Sequence, residues 1–202
     1  MADTGAPWNI PFAEPADLVR DWPALSEDVA DAVAAGLTAA GNAGIGSNVV
    51  QTVKTDTFSA SVGGAAFSSN ITGLEATITP SSDTSLVLVL VSVTIAHQQG
   101  GYASPRLMRD ATPIAIAAAE GSRPRLSAAN LANTGTNSDN PASVSIVHLD
   151  NPGVDTAVTY GVQVYNQESG SQTVFCNRST RDPNDRLGLR TASSITLIEV
   201  AP

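Results

Sequence analysis

The sequence predicts a mainly β protein: an antiparallel β-sandwich preceded by an extended arm and a short amphipathic helix. Three observations carry this. From residue 49 onward, short runs of alternating or β-branched apolar residues recur, with Gly, Ser, Asn, Asp and Pro clusters between them. No long amphipathic helical pattern separates these runs, which argues against a parallel α/β sheet. The first 40 residues differ in kind, with seven carboxylates against Arg20 alone and both tryptophans, Trp8 and Trp22. The expected organisation is an N-terminal arm and helix over 1–40, a Gly/Asn/Ser-rich linker over 41–48 and a β-sandwich over 49–202.

In the arm, Pro7, Pro11 and Pro15 oppose helix and favour an extended, polyproline-like chain. Trp8, Ile10 and Phe12 alternate, so an extended arm projects all three from one side. Such an arm has no core of its own, and its apolar face either folds back or docks on something larger. Trp22 joins these three as the candidate docking set. Pro15 opens a short helical turn to Asp21, where a missing N–H costs nothing, and Pro23 stops it. Ser26 then serves as an N-cap, with Glu27 and Asp28 in the first turn where the helix dipole favours acids. Leu25, Val29, Val33 and Leu37 recur every four residues and form a narrow apolar stripe, and Gly41 is a stop. A helix of about three turns is marginal alone in water. It needs a partner surface, from this chain, from sister chains or from a host structure.

The strands follow in order. Residues 49–54 alternate and the run continues to Phe58. Leu74, Ala76 and Ile78 alternate with Glu75, Thr77 and Thr79, a strand with one wet face. Leu86 to Ile95 is almost wholly apolar and reads as a central strand covered on both faces. Shorter candidates surround Leu107–Met108 and Ile114–Ile116, with residues 113–120 open to either a strand or a helical turn. Ser143–Leu149, Ala157–Val164, Thr173–Cys176 and Ser193–Val200 complete the set. Eight or more short strands at this spacing indicate a sandwich.

Composition narrows function. The 202 residues carry only 14% charged residues, against roughly 25% in an average soluble domain. Net charge is −9, and ten scattered basic residues cannot make the cationic stripe that nucleic acid requires. Anionic membrane surface is disfavoured likewise. The longest apolar stretch, Leu86–Ala96, holds 11 residues where a span needs about 20, so no membrane insertion is expected. A single cysteine, Cys176, excludes an intrachain disulfide framework and reads as a small buried hydrophobe. The N-terminus lacks the features of a signal peptide, and synthesis in a host cytoplasm is expected.

Candidate chemistry is sparse. No Gly-x-Ser-x-Gly elbow occurs. His97 and His148 read as strand histidines satisfied locally. The carboxylate pairs Asp150/Asp155 and Asp182/Asp185 fall in turns, where aspartates bond their own backbone. Asn137, Asp139 and Asn140, or Asp182, Asn184 and Asp185, supply oxygen clusters without calcium-loop spacing. No catalytic residue, metal or cofactor is expected. The arginines of the β part, Arg106, Arg109, Arg123, Arg125, Arg178, Arg181, Arg186 and Arg190, are candidates for carboxylate pairing across a subunit interface or for plain solvation. A sugar site would draw on exposed aromatics, of which Tyr102 and Tyr165 are the candidates.

The opening GAPWNIPFAEPADLVRDWP and SEDVADAVAAGL, with VVQTVKTDTF, ITGLEATITPSS, RLMRD, VTYGVQV and RTASSITLIEV, resembles tailed-bacteriophage virion structural proteins of the minor-tail and tail-fibre type. The resemblance implies a virion location, an N-terminal attachment segment and a C-terminal jelly-roll-like knob, as a homotrimer whose partners are other phage structural proteins. It carries no catalytic motif. These residues contain no long shaft or collagen-like repeat, which favours a short spike, a tail-tip appendage or a capsid decoration protein. A carbohydrate- or receptor-binding module at the tail tip, contacting a host surface glycan, is the alternative.

Overall fold

The computed structural model describes residues 2–3, 11–12, 27–36, 45–98, 102–129, 141–186 and 188–200. β1 (Ala2–Asp3) and β2 (Pro11–Phe12) pair antiparallel, Ala2 opposite Phe12 and Asp3 opposite Pro11. Two short segments of the arm therefore lie side by side and antiparallel. A two-residue strand in a two-stranded ribbon has free edges, which tolerate proline. The expected helix is present over residues 27–36 (α1).

The sandwich follows. Its strands are β3 (Ile45–Lys54), β4 (Phe58–Val62), β5 (Ala66–Phe67), β6 (Glu75–Ile78), β7 (Leu86–His97), β8 (Ala103–Arg109), β9 (Thr112–Ile114), β10 (Ala142–Asp150), β11 (Val158–Asn166), β12 (Gln172–Cys176) and β13 (Ser193–Val200). All pairings are antiparallel. One sheet runs β3-β13-β7-β10, and the other β6-β11-β8-β9. Counting only these eight strands in chain order, the sheets read first-eighth-third-sixth and second-seventh-fourth-fifth. That is the double Greek key of a jelly roll. The other three strands are additions. The last residues of β7 pair with β12, which carries β4, and the end of β11 pairs with β5. Each central strand outlasts its main neighbour and takes a second one on the same edge.

Several elements differ from expectation. β3 begins at Ile45, inside the stretch assigned to a linker, and its run breaks at residues 55–57 instead of reaching Phe58. Residues 113–120 are strand only through Ile114. β5, two residues long, was not foreseen. β7 is central, as expected, but its two faces are unequal. Val87, Val89, Val91, Val93 and Ile95 are at most 3% exposed, whereas Leu86, Leu88 and Leu90 are half-buried and Ser92 is exposed.

The inner face of β7 meets Val158, Tyr160, Val162 and Val164 of β11 and Leu107 of β8, all essentially buried. Alternation explains this directly: successive side chains point to opposite faces, so one register places every odd-numbered residue of β7 inward. Such a core, built from β-branched residues, supplies the apolar burial that holds two sheets about 10 Å apart.

Candidate functional site

Buried polar groups are where chemistry would be sought first, and four of them organise the sandwich. Asp150 ends β10 on the inner face, opposite Val87. Its carboxylate accepts the Tyr160 hydroxyl of β11 at 2.7 Å and Nη1 of Arg109 from β8 at 3.0 and 3.2 Å. His148 Nε2 stands 3.8 Å from the same group. Asp150 so ties one sheet to the other. Burial, and then the bond to this carboxylate, push the Tyr160 hydroxyl well above the usual phenol range. Sequence reading placed Asp150 in a turn with Asp155; the structure corrects this, since Asp150 is buried in a strand and Asp155 is exposed.

Glu199 of β13 lies opposite Val87 from the other side and is 1% exposed. It accepts the Ser81 backbone N–H at 2.7 Å and the Ser81 hydroxyl, pinning the loop before β7. Burial alone would raise this carboxyl, but the hydrogen bonds from Ser81 outweigh it and hold it below the ordinary range. Glu199 and Asp150 are two strand spacings apart, about 10 Å, close to the separation of an inverting carboxylate pair. Between them Val87 is fully buried, and protein donors engage both carboxylates, so no sugar ring reaches the pair.

Asn166, fully buried at the end of β11, donates through Nδ2 to the Val62, Gly63 and Gly170 carbonyls at 2.9–3.0 Å. Its Oδ1 takes His97 Nε2 at 2.9 Å and the Glu168 N–H at 3.0 Å. The other ring nitrogen of His97 contacts the Gln98 carbonyl. His97 is thus a buried strand histidine with both ring nitrogens engaged, one by the neighbouring Gln98 carbonyl as expected and the other by Asn166 of β11, 69 residues away. Asn177 closes the set, donating to the Lys54 and Asp56 carbonyls and accepting the Ser193 hydroxyl. Cys176 beside it is fully buried and desolvation pushes its thiol up, away from thiolate reactivity.

At least four of the eight arginines of the β part pair with carboxylates inside the chain. Arg109 holds Asp150, Arg123 reaches Glu120 at 3.5 Å, and Arg178 and Arg190 both hold Asp182. Interfacial pairing is not needed to satisfy these four. Asp182, Asn184, Asp185 and Arg190 line a polar hollow of about 330 Å³. Two guanidiniums already neutralise Asp182 there, which removes the charge a cation would seek. No group of three or more His, Cys, Asp or Glu residues suited to a metal occurs among the described residues. Asn137, Asp139 and Asn140 lie outside them.

The aromatics divide clearly. Tyr102 is 39% exposed, whereas Tyr165 is 9% exposed and packs on Phe67 with ring centroids 4.9 Å apart. The Arg106 guanidinium lies 3.4 Å from the Phe67 ring centre and hydrogen bonds Gln163, covering this platform from a ligand.

Of the candidate docking residues, Trp8, Ile10, Trp22, Leu25 and Leu37 lie outside the described residues, and Phe12 is placed only by its backbone pairing in β2. Within α1, Val29 is half-buried and Val33 is 37% exposed, with Gly36 buried on the same helical face. The stripe is therefore only partly covered.

No protein-family model matches the chain, and no curated protein matches it. Among the solved structures with partial likeness are three from infectious bursal disease virus. A structure of its Gx strain aligns at TM-score 0.36 and 15% identity over 77% of this chain and 37% of that one. A mutant VP2 protein in derived T=1 particles aligns at TM-score 0.34, 13% identity, over 77% and 40%. A VP2 subviral particle aligns at TM-score 0.32, 16% identity, over 76% and 38%. The chain spans well under half the length of these proteins. The jelly-roll assignment stands on strand order, independently of that likeness.

Proposed function

We propose that this chain is a non-enzymatic virion structural protein of the tailed-bacteriophage type, attached through its N-terminal segment and displaying the jelly roll as a knob. The observation that carries the reading is the division of labour along the chain. In the sandwich, Asp150, Asn166, Asn177 and Glu199 are all spent on internal bonding, while the apolar stripe of α1 keeps Val33 exposed. A jelly roll is a frequent solution for particle building, though a fold alone never assigns a role. The sequence resemblance supplies the second support. Attachment works by apolar burial: Trp8 and Phe12 together offer about 300–500 Å², worth several kcal/mol at ~25 cal/mol per Å² before ordering costs. A homotrimer would close the α1 stripes on one another and multiply the attachment by avidity.

The test uses the full chain with two substitution sets, Trp8→Ser with Phe12→Ser, and Val29→Asp with Val33→Asp. Purified particles are then assayed for the protein. Both sets are expected to deplete it from particles while the soluble protein keeps its β-sheet circular dichroism. Normal incorporation of both variants overturns the attachment reading. A receptor-binding knob is the alternative. It is favoured only by the exposure of Tyr102, and saturable glycan binding lost in Tyr102→Ala would establish it.

A further inference from the structure

The larger sheet turns an uncharged face outward. Cross-strand register sets its rows: Val49–Ile198–Leu88–Leu149, then Gln51–Thr196–Leu90–Val147, then Val53–Ser194–Ser92–Ser145. Val147 is 71% exposed, Val49 54%, Val53 53% and Leu149 50%. None of these twelve positions is charged, in a chain whose net charge is −9. The face's longer polar groups are already paired with each other: Gln51 Nε2 donates to Thr196 Oγ1 at 2.8 Å, and the Thr94 and Ser143 hydroxyls meet at 2.9 Å just beyond the third row. Dehydrating the first two rows costs little, because Gln51 and Thr196 already bond each other, whereas the Ser194, Ser92 and Ser145 hydroxyls of the third row must find partners across the contact. The smaller sheet differs, since its own side chains cover it: Arg106 lies over Phe67, and Asn70 donates to Glu75.

We propose that this face is where a second copy of the chain packs. The inference goes beyond the virion reading and stands or falls separately from it. Charge selects the occupant. Two acidic chains repel wherever their carboxylates approach, and this face lets them meet with none in the contact. A charged partner would find nothing here to pair with. Size is compatible: four strands and about six residues of depth give a patch of roughly 20 by 20 Å, within the range of the largest patch on a typical monomer. Two such faces bury roughly 800 Å² as flat areas, which side-chain relief brings toward the ~1,000 Å² of a specific interface. One border of the face strengthens the case. β10 is an edge strand among the described residues, nine residues long, with unbroken register and no Lys, Pro or bulge to guard it.

The experiment is sedimentation velocity of the full chain over a wide concentration range, beside Val147→Asp/Leu149→Asp and, from the opposite border, Val49→Asp/Val53→Asp. All four side chains are exposed, so the fold tolerates the changes, and circular dichroism with thermal melting checks each variant. The wild-type chain is expected to self-associate, and each pair to weaken association at least about tenfold. Should one pair fail to fold, the other carries the test. A wild-type chain that stays monomeric throughout overturns the proposal. So does association that survives both pairs and disappears with Val33→Asp, which would assign it to α1. Loss of association with normal particle incorporation leaves the attachment reading intact; a wild-type chain that self-associates through this face but is absent from particles overturns attachment alone.

Discussion

Replacing Asn177 with alanine tests how the sandwich closes. Asn177 follows β12, is fully buried and has φ of +62°, a left-handed conformation that asparagine tolerates better than most residues. Its Nδ2 donates to the Lys54 carbonyl at 2.8 Å and the Asp56 carbonyl at 3.0 Å, and its Oδ1 accepts the Ser193 hydroxyl at 2.6 Å. Ser193 in turn accepts the Thr94 N–H at 3.0 Å, so one amide links β3, β7, β12 and β13. Alanine takes the amide donor from the Lys54 carbonyl and the acceptor from the Ser193 hydroxyl proton, at about 1–3 kcal/mol each. It adds about 1 kcal/mol for an ordinary side chain at positive φ. The expected loss is about 4 kcal/mol. With a urea slope of about 2 kcal/mol per M, the midpoint falls by about 2 M. Asn177→Gly removes the backbone penalty but not the lost bonds, and is expected to lie between wild type and alanine. A midpoint shift below about 0.5 M for alanine would refute the view that this amide is a structural hub.

Three further outcomes are expected. Tyr160→Phe removes the hydroxyl that donates to buried Asp150 and should cost about 2 kcal/mol by urea unfolding, with Arg109 still holding the carboxylate. Glu199 has its carboxyl held below the ordinary range, so it stabilises the fold above its unfolded pKa, and that contribution is lost as pH falls through the lower folded value. Glu199→Gln should therefore flatten the fall in stability as the pH is lowered from about 5 toward 3, read as melting temperature against pH beside wild type. Gly64→Ala would drive a Cβ into the Ser169 carbonyl, backbone against backbone, across the loop that Ala65 N–H closes onto the Glu168 carbonyl at 3.0 Å. A loss of about 2 kcal/mol is expected, while alanine at Gly170, where a Cβ meets nothing, should be near neutral.

Much of the fold was legible because β periodicity is a local signal. Glu75–Ile78 reads out as alternating exposed and buried residues, and Ser193–Val200 alternates buried and half-buried, as the sequence pattern indicates. β7 was recognisable as central because a long apolar run needs cover. The two-residue β5 has no periodicity to read; its place depends on the Glu168 and Tyr165 backbone, a hundred residues later. Asp150 was read as a turn residue because its side chain favours turns, and Asn166 lies beyond the strand expected to end at Val164. Both instead end strands and face inward, where partners from distant strands satisfy them, and no local pattern reveals such partners. The arginines show the same limit, since their partners within the chain depend on which strands meet. The uncharged outer face was hidden for a different reason: each strand contributes only an ordinary alternation, and the patch exists only once the four registers are fixed.

The central claim is that this jelly roll belongs to a particle. Its most direct test is quantitative mass spectrometry of purified virions from the host that encodes the chain. The expected result is a fixed copy number per particle, a small-integer multiple set by the symmetry of the docking site and unchanged by washing at high salt, since attachment is apolar. Absence from purified particles, or a copy number that drifts with each wash, would contradict it.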